Sequence, residues 1–220
     1  MDYNEELYPA SRIVLSSGSE HWCTSPEDLA IIKRFDIIGF DPFSNQYSLV
    51  GALRSVCLPE NSLLMEWPQD VLTFCNPPYG AALRACAQKI GQHGRSGGEV
   101  LTLVPARTDT EWWQDLLRPP VWLAWSGRLT FLEPLTSLQA RYQERCEKAR
   151  KAGQRPPPEP QYKMVGEHLA RGETATFSAA LCYHGPRIDR FCEIFEPHGR
   201  LYFERRNGIY VPNTPQLIDR

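Results

Sequence analysis

Five consecutive residues, Val71-Leu72-Thr73-Phe74-Cys75, carry no charge and run straight into Asn76-Pro77-Pro78-Tyr79. A short apolar run without alternation reads as a strand buried on both faces, the kind found in sheets covered by helices. Two successive prolines hold φ at about −65° and remove two backbone donors. The ladder therefore stops at the strand's carboxyl edge, where open α/β sheets bind ligands. In this stiff segment Asn76 offers a side-chain amide oxygen and Pro77 a main-chain carbonyl, two acceptors suited to a planar NH2 group. Pro78 stiffens the loop, and Tyr79 supplies a flat face for a planar base. The plain alternative is a rigid turn beside a buried tyrosine. The asparagine before the prolines, the aromatic after them and the strand and helix on either side favour a site.

The rest of the chain supplies the sheet that such a strand needs. Ser25-Pro26-Glu27-Asp28 opens a helix, with Ser25 as N-cap, Pro26 at the first helical position and acids in the first turn. Leu29, Ile32 and Phe35 follow at helical spacing. Ile37 to Phe40 reads as a short buried strand ending at Asp41-Pro42, and Tyr47 to Cys57 as a weaker helix. Ala81 to Gln92 predicts a helix stopped by Gly94-Arg95-Ser96-Gly97-Gly98. Val100 to Val104 predicts a strand, and Asp109 a cap for a helix containing Trp112, Trp113, Leu116 and Leu117. Val121 to Trp125 and Phe177 to Tyr183 are further strands, and Asn207-Gly208 predicts a hairpin between Leu201-Tyr202-Phe203 and Ile209-Tyr210-Val211. The expected architecture is α/β: a mostly parallel sheet covered on both faces, with an antiparallel hairpin at the C-terminal end.

With 220 residues the expectation is one domain, residues 1–220, carrying an insertion at about 137–171. That stretch loses its apolar strands, turns charged and then reaches Pro156-Pro157-Pro158. Ala140 to Ala152 looks helical, with Glu144–Lys148 and Glu147–Lys151 at i,i+4. It is locally basic, and reads equally as a solvated helix with a linker or as an arm that touches phosphates.

Composition narrows the function classes. The formal net charge is −2, so any nucleic-acid contact must use local basic patches. No apolar run approaches a membrane span, and the acidic, polar start is unlike a signal peptide. Seven cysteines at scattered spacing form no CxxC pair and no zinc pattern, which predicts reduced thiols in a cytoplasmic protein and no metal. His21, His93, His168, His184 and His198 are dispersed and receive no role.

An ordered set of segments supports a family resemblance: Trp22-Cys23-Thr24-Ser25-Pro26, Phe40-Asp41-Pro42-Phe43-Ser44-Asn45, and Trp67 before Phe74-Cys75-Asn76-Pro77-Pro78-Tyr79-Gly80. These are followed by Leu103-Val104-Pro105-Ala106-Arg107-Thr108-Asp109-Thr110-Glu111-Trp112-Trp113 and Gly127-Arg128-Leu129-Thr130-Phe131. The set resembles the bacteriophage Dam-like N6-adenine DNA methyltransferases over about residues 20–134. The resemblance implies a Rossmann-like fold, S-adenosyl-L-methionine as cofactor and DNA as partner. If the chain is phage-encoded, it implies action in the bacterial cytoplasm. It assigns Asn76, Pro77, Pro78 and Tyr79 to the catalytic loop and Asp41, Pro42 and Ser44 to the cofactor motif. Trp22, Thr24 and Pro26 would close over the methionine end of the cofactor, which Asn76 also borders. The loop after Asp41 departs from the usual pattern in lacking glycines.

Arg107, Thr108 and Asp109 lie just past a strand's carboxyl end and are expected to face the same cleft, touching a flipped base or the DNA backbone; the alternative is that Thr108 or Asp109 caps the next helix. Arg128, beside Gly127, is expected to meet a phosphate or to form a surface ion pair. The chemistry expected is methyl transfer to adenine N6 of a flipped base, with no catalytic base before transfer. Two alternatives stay open: methylation of a protein glutamine or RNA amine, and a non-catalytic phage DNA-binding protein that kept the fold.

Overall fold

The computed structural model describes residues 22–204. Fifteen strands and helices are laid out in chain order: β1 (Cys23–Thr24), α1 (Pro26–Ile32), β2 (Ile38–Asp41), β3 (Arg54–Ser55), β4 (Leu72–Cys75), α2 (Leu83–Arg95), β5 (Glu99–Pro105), β6 (Val121–Trp125), β7 (Thr130–Pro134), α3 (Leu135–Lys151), β8 (Met164–Val165), β9 (Leu169–Thr174), β10 (Ala179–His184), α4 (Ile188–Phe195) and β11 (Gly199–Phe203). 3-10 turns at Ser62–Leu64 and Glu196–His198 and a π-helical segment at Trp112–Leu117 complete them.

Seven strands form one sheet in the order β11-β6-β10-β5-β4-β2-β3. The alternation of a strand's side chains sends β5 and β10 residues to two cores. Leu101, Leu103, Leu181 and Tyr183 pack on one face with Leu29, Ile32 and Phe35 of the α1 region and with Phe191 and Phe195 of α4. Val100, Val104, Ala180 and Cys182 pack on the other with Ala87 and Ile90 of α2 and with Trp113 and Leu117. The result is helix, sheet, helix, as apolar strands require. A four-stranded sheet, β1-β7-β9-β8, stands beside it over a small core of Cys23, Leu132 and Leu169.

The expectation of a mostly parallel sheet is corrected. Parallel pairing is confined to β3, β2, β4 and β5. β10 runs antiparallel to both β5 and β6, β11 runs antiparallel to β6, and the four-stranded sheet is antiparallel throughout. The cause is the chain's path. After β6 it builds β7 to β9 and then enters β10 at the edge that holds the end of β5, with Ala179 opposite Pro105. A strand entered from the edge its neighbour left must run the other way. Leu201 to Phe203 pairs with β6 in β11, while the rest of the expected Asn207-Gly208 hairpin lies outside the described residues.

Capping chemistry fixes the start of α1 as its sequence predicts. Ser25 caps α1, its Oγ accepting from the Asp28 N–H at 3.1 Å, with Pro26 opening the helix. The helix expected at Tyr47 to Cys57 is absent. Asn45 Oδ1 accepts from Tyr47 N–H at 2.8 Å, and Ser48 Oγ accepts from Val50 N–H at 3.3 Å. Gly51 is left-handed at φ 65°, and Arg54–Ser55 pairs with β2 as β3. Side-chain acceptors here compete with a helix for the backbone donors. Asp109 caps no helix: the segment after it begins at Trp112 with π geometry and ends at Arg118, whose N–H reaches the Trp113 carbonyl at 2.8 Å. α3 starts at Leu135, five residues before the expected Ala140.

Candidate active site

The chain steps from β2 outward to β3, then back past β2 to β4 and on to β5. The strand order thus reverses between β2 and β4, a place where open α/β sheets leave a crevice outside their carboxyl ends. Asp41 ends β2 and Cys75 ends β4, so Pro42 and Asn76 both border that crevice. A cavity of about 690 Å³ opens there, within the range usual for small-molecule and cofactor sites. Its walls include Trp22, Pro42, Ser44, Asn76, Pro77, Pro78, Tyr79 and Arg107, so eight of the expected site residues come together from segments far apart in sequence.

Asn76 is clamped. Its Nδ2 donates to Thr24 Oγ1 at 3.2 Å, and its Oδ1 accepts from the Tyr79 hydroxyl at 2.9 Å. The same hydroxyl lies 3.3 Å from the Leu103 carbonyl on β5. An amide oxygen has two lone pairs, so one acceptor site remains. Tyr79 packs edge-on against Phe131 and Phe177, with ring centroids at 6.1 and 5.4 Å. Burial holds its hydroxyl well above the ordinary phenol range, so it is neither a base nor an anion at neutral pH.

The remaining expected residues take other positions. Thr24 is buried and acts on Asn76 rather than lining the cavity. Asp41 is also buried. Its Oδ1 accepts from Phe43 N–H at 3.2 Å, and Ser44 and Ser48 hydroxyls bond to its carboxylate. Burial pushes its pKa up to about 6, against the pull of those hydrogen bonds. Asp41 thereby shapes the loop whose Pro42, Phe43 and Ser44 form cavity wall. Pro26 is exposed at the start of α1, and Thr108 and Asp109 sit on an exposed turn. Arg128 donates to the Ala175 carbonyl at 3.3 Å, holding the Ala175 loop that does line the cavity.

Sequence reading missed Glu60, Asn61, Phe131, Arg141 and the 174–177 loop, all cavity walls. Arg141 had a signal, lying three residues beyond the buried Leu138 on the same helical face. The others come from loops and a neighbouring sheet, for which no local pattern exists. Cys86 lines the cavity, but burial raises its thiol to about 12, leaving no thiolate nucleophile there. Among the described residues no His, Cys, Asp and Glu side chains gather as metal ligands, and no helix is long and apolar enough to cross a membrane.

The crevice at the strand-order reversal thus holds an Asn-Pro-Pro-Tyr loop with its amide clamped and two acceptors that suit a planar NH2 group. A family model described as DNA N-6-adenine-methyltransferase (Dam) matches residues 19–152, more than half of the chain. The chain belongs to the Dam family of DNA N6-adenine methyltransferases. No curated protein and no solved structure matches it. The Dam match takes in Trp22, Thr24, Asp41, Asn76 to Tyr79, Arg107 and Arg141, while the 174–177 wall lies beyond it.

Proposed function

We propose that this Dam-family chain transfers a methyl group from S-adenosyl-L-methionine to N6 of a DNA adenine turned out of the duplex. The observation that carries the reading is the Asn76 amide, held between Thr24 and Tyr79 at the end of β4 inside the cavity. The donor suits the residues present: Glu60 and Asn61 offer hydrogen-bonding groups for sugar hydroxyls, and Phe43 and Leu63 offer apolar surface for its adenine. Bound there, its sulfonium supplies an activated methyl group.

The protein's part is positioning and charge stabilisation. Asn76 Oδ1 and the Pro77 carbonyl accept the two N6 protons, which favours a pyramidal nitrogen and stabilises the positive charge developing on it. Adenine N6 is buried in duplex DNA, so the base must leave the stack, and Tyr79 receives its face. No base is needed before transfer, because the amine loses its proton afterwards. Arg107, exposed at the cavity's edge, meets the DNA backbone. We read residues 137–171 as an insertion within a single methyltransferase domain.

The test is transfer of labelled methyl from S-adenosylmethionine to unmethylated DNA, followed by nucleoside analysis. The expected result is N6-methyladenine with wild type and at least a roughly hundredfold lower rate with Tyr79→Ala, which loses both the stacking face and the bond to Asn76. Label in a protein or RNA but never in DNA would overturn the substrate, and no label anywhere would overturn the reaction.

A further inference from the structure

Three charged side chains line the cavity, Glu60, Arg107 and Arg141. Arg107 stands on an exposed turn after β5. Arg141 is different: it is built in. It reaches from α3 to Glu133 of β7, its Nη2 donating to Glu133 Oε2, and Glu133 is fully buried. Its guanidinium carbon lies 5.7 Å from the Trp22 ring centroid. The side chain stays 31% exposed, and Arg141 lines the cavity. Burying a carboxylate beside a guanidinium is costly unless the remaining donors and acceptors are met. Here Glu133 Oε1 and Arg141 Nε are both buried without a partner among the described residues. A wholly structural pair would be better satisfied. A cation fixed in orientation by a buried carboxylate and an indole face, with part of it open to a cavity, is suited to binding an oxyanion.

We infer that Arg141 binds the α-carboxylate of the methyl donor, with Glu133 orienting it; this rests on the S-adenosylmethionine reading above. The donor's sulfur carries two arms, and its methyl must lie beside Asn76. The loops after β2 and β3, with Glu60 and Asn61, suit the hydroxyl-bearing adenosyl arm. The other arm ends in a carboxylate. The wall built by β1, β7 and α3 supplies its counter-charge, close to Asn76 because β1 also carries Thr24. Arg141 thereby selects donors by the charge on their amino-acid end.

Binding calorimetry tests this with S-adenosylmethionine, its decarboxylated analogue and a DNA duplex as separate titrants. Wild type is expected to bind S-adenosylmethionine more tightly than the decarboxylated form. Arg141→Gln is expected to lose roughly ten- to hundredfold affinity for the carboxylate-bearing donor, as for a charged hydrogen bond, and to bind the decarboxylated form within about twofold of wild type. Glu133→Gln with Arg141→Gln removes both buried charges together and serves if the single variant does not fold. Equal affinity of wild type for the two donors overturns the inference without any variant. So does an equal loss for both donors in a folded variant, and so does a loss confined to DNA, which would move Arg141 to a phosphate. Failure of wild type to bind S-adenosylmethionine at all overturns the donor reading itself, and is distinguishable from each of these.

Discussion

Two buried side chains, Thr24 and Asp41, shape the candidate site from behind its walls. Thr24 holds the Asn76 amide nitrogen, which fixes the orientation of the amide at the cavity wall. Thr24→Val keeps the shape and removes that acceptor. Single-turnover methylation is expected to slow roughly tenfold, the worth of one neutral hydrogen bond, with the melting temperature little changed; an unchanged rate would show that Asn76 needs no such support. Asp41 acts through a loop and gives the fold a pH dependence. Burial raises its folded pKa to about 6, above the ordinary 3.8. Between those values the folded state holds a proton that the unfolded state has released, so this contribution is complete below about pH 4 and is lost as pH rises through 6. Linkage puts the loss at up to about 3 kcal/mol. Asp41→Asn keeps an acceptor for Phe43 N–H without the charge. It is expected to melt above wild type at about pH 7.5 and to lose that advantage at about pH 4. A constant difference between the two pH values would assign the effect to something other than this carboxyl.

Among the elements, α2 and the π-helical segment show how a wall is set. Gly91 of α2 approaches so closely that an added Cβ would lie 1.9 Å from the Leu116 carbonyl oxygen. Arg95, one turn on, donates to that carbonyl at 3.0 Å. Leu83 and Cys86 of α2 and Trp112 of the π-helical segment line the cavity, so their separation is part of its shape. Gly91→Ala cannot be absorbed by a flexible side chain, since the clash is with backbone. It is expected to cost about 1–3 kcal/mol and to lower the melting temperature by several degrees, with weaker donor binding. Thermal melts beside donor titration check both; full stability would mean that the two elements slide apart freely. The same pair explains a limit of local reading. Helical periodicity at Leu83, Ala87 and Ile90 was legible because side chains on one helix face repeat by geometry. The π geometry at Trp112–Leu117 was not, because it follows from fitting against α2.

For the molecule as a whole, the Arg187 ion-pair network and the candidate site lie at opposite ends of the sheet. At the amino end of β5, Glu99 accepts from Arg187 at 2.6 and 2.8 Å, Arg187 donates to Asp36 at 2.6 Å, and the Tyr183 hydroxyl donates to Glu99. This joins β5, β10, the start of α4 and the turn after α1, away from the carboxyl edge that bears Asn76. Arg187→Met is expected to lower unfolding free energy in urea by about 1–3 kcal/mol while leaving the methylation rate of the folded enzyme unchanged. A fall in rate at low denaturant would tie the network to the cavity. Much of this organisation was visible in the amino acids alone. The Val71–Cys75 strand, its arrest at Pro77-Pro78, the Ser25 cap and the aromatic at Tyr79 depend on dihedral limits, missing donors and periodicity, properties that a few neighbouring residues carry by themselves. The reversed β10, the edge strand at Arg54–Ser55, the reach of Thr24 to Asn76 across 52 residues and the entry of Arg141 into the cavity depend on where distant segments return. Such meetings are settled by which surfaces must be buried together, and only the folded chain brings those surfaces into contact.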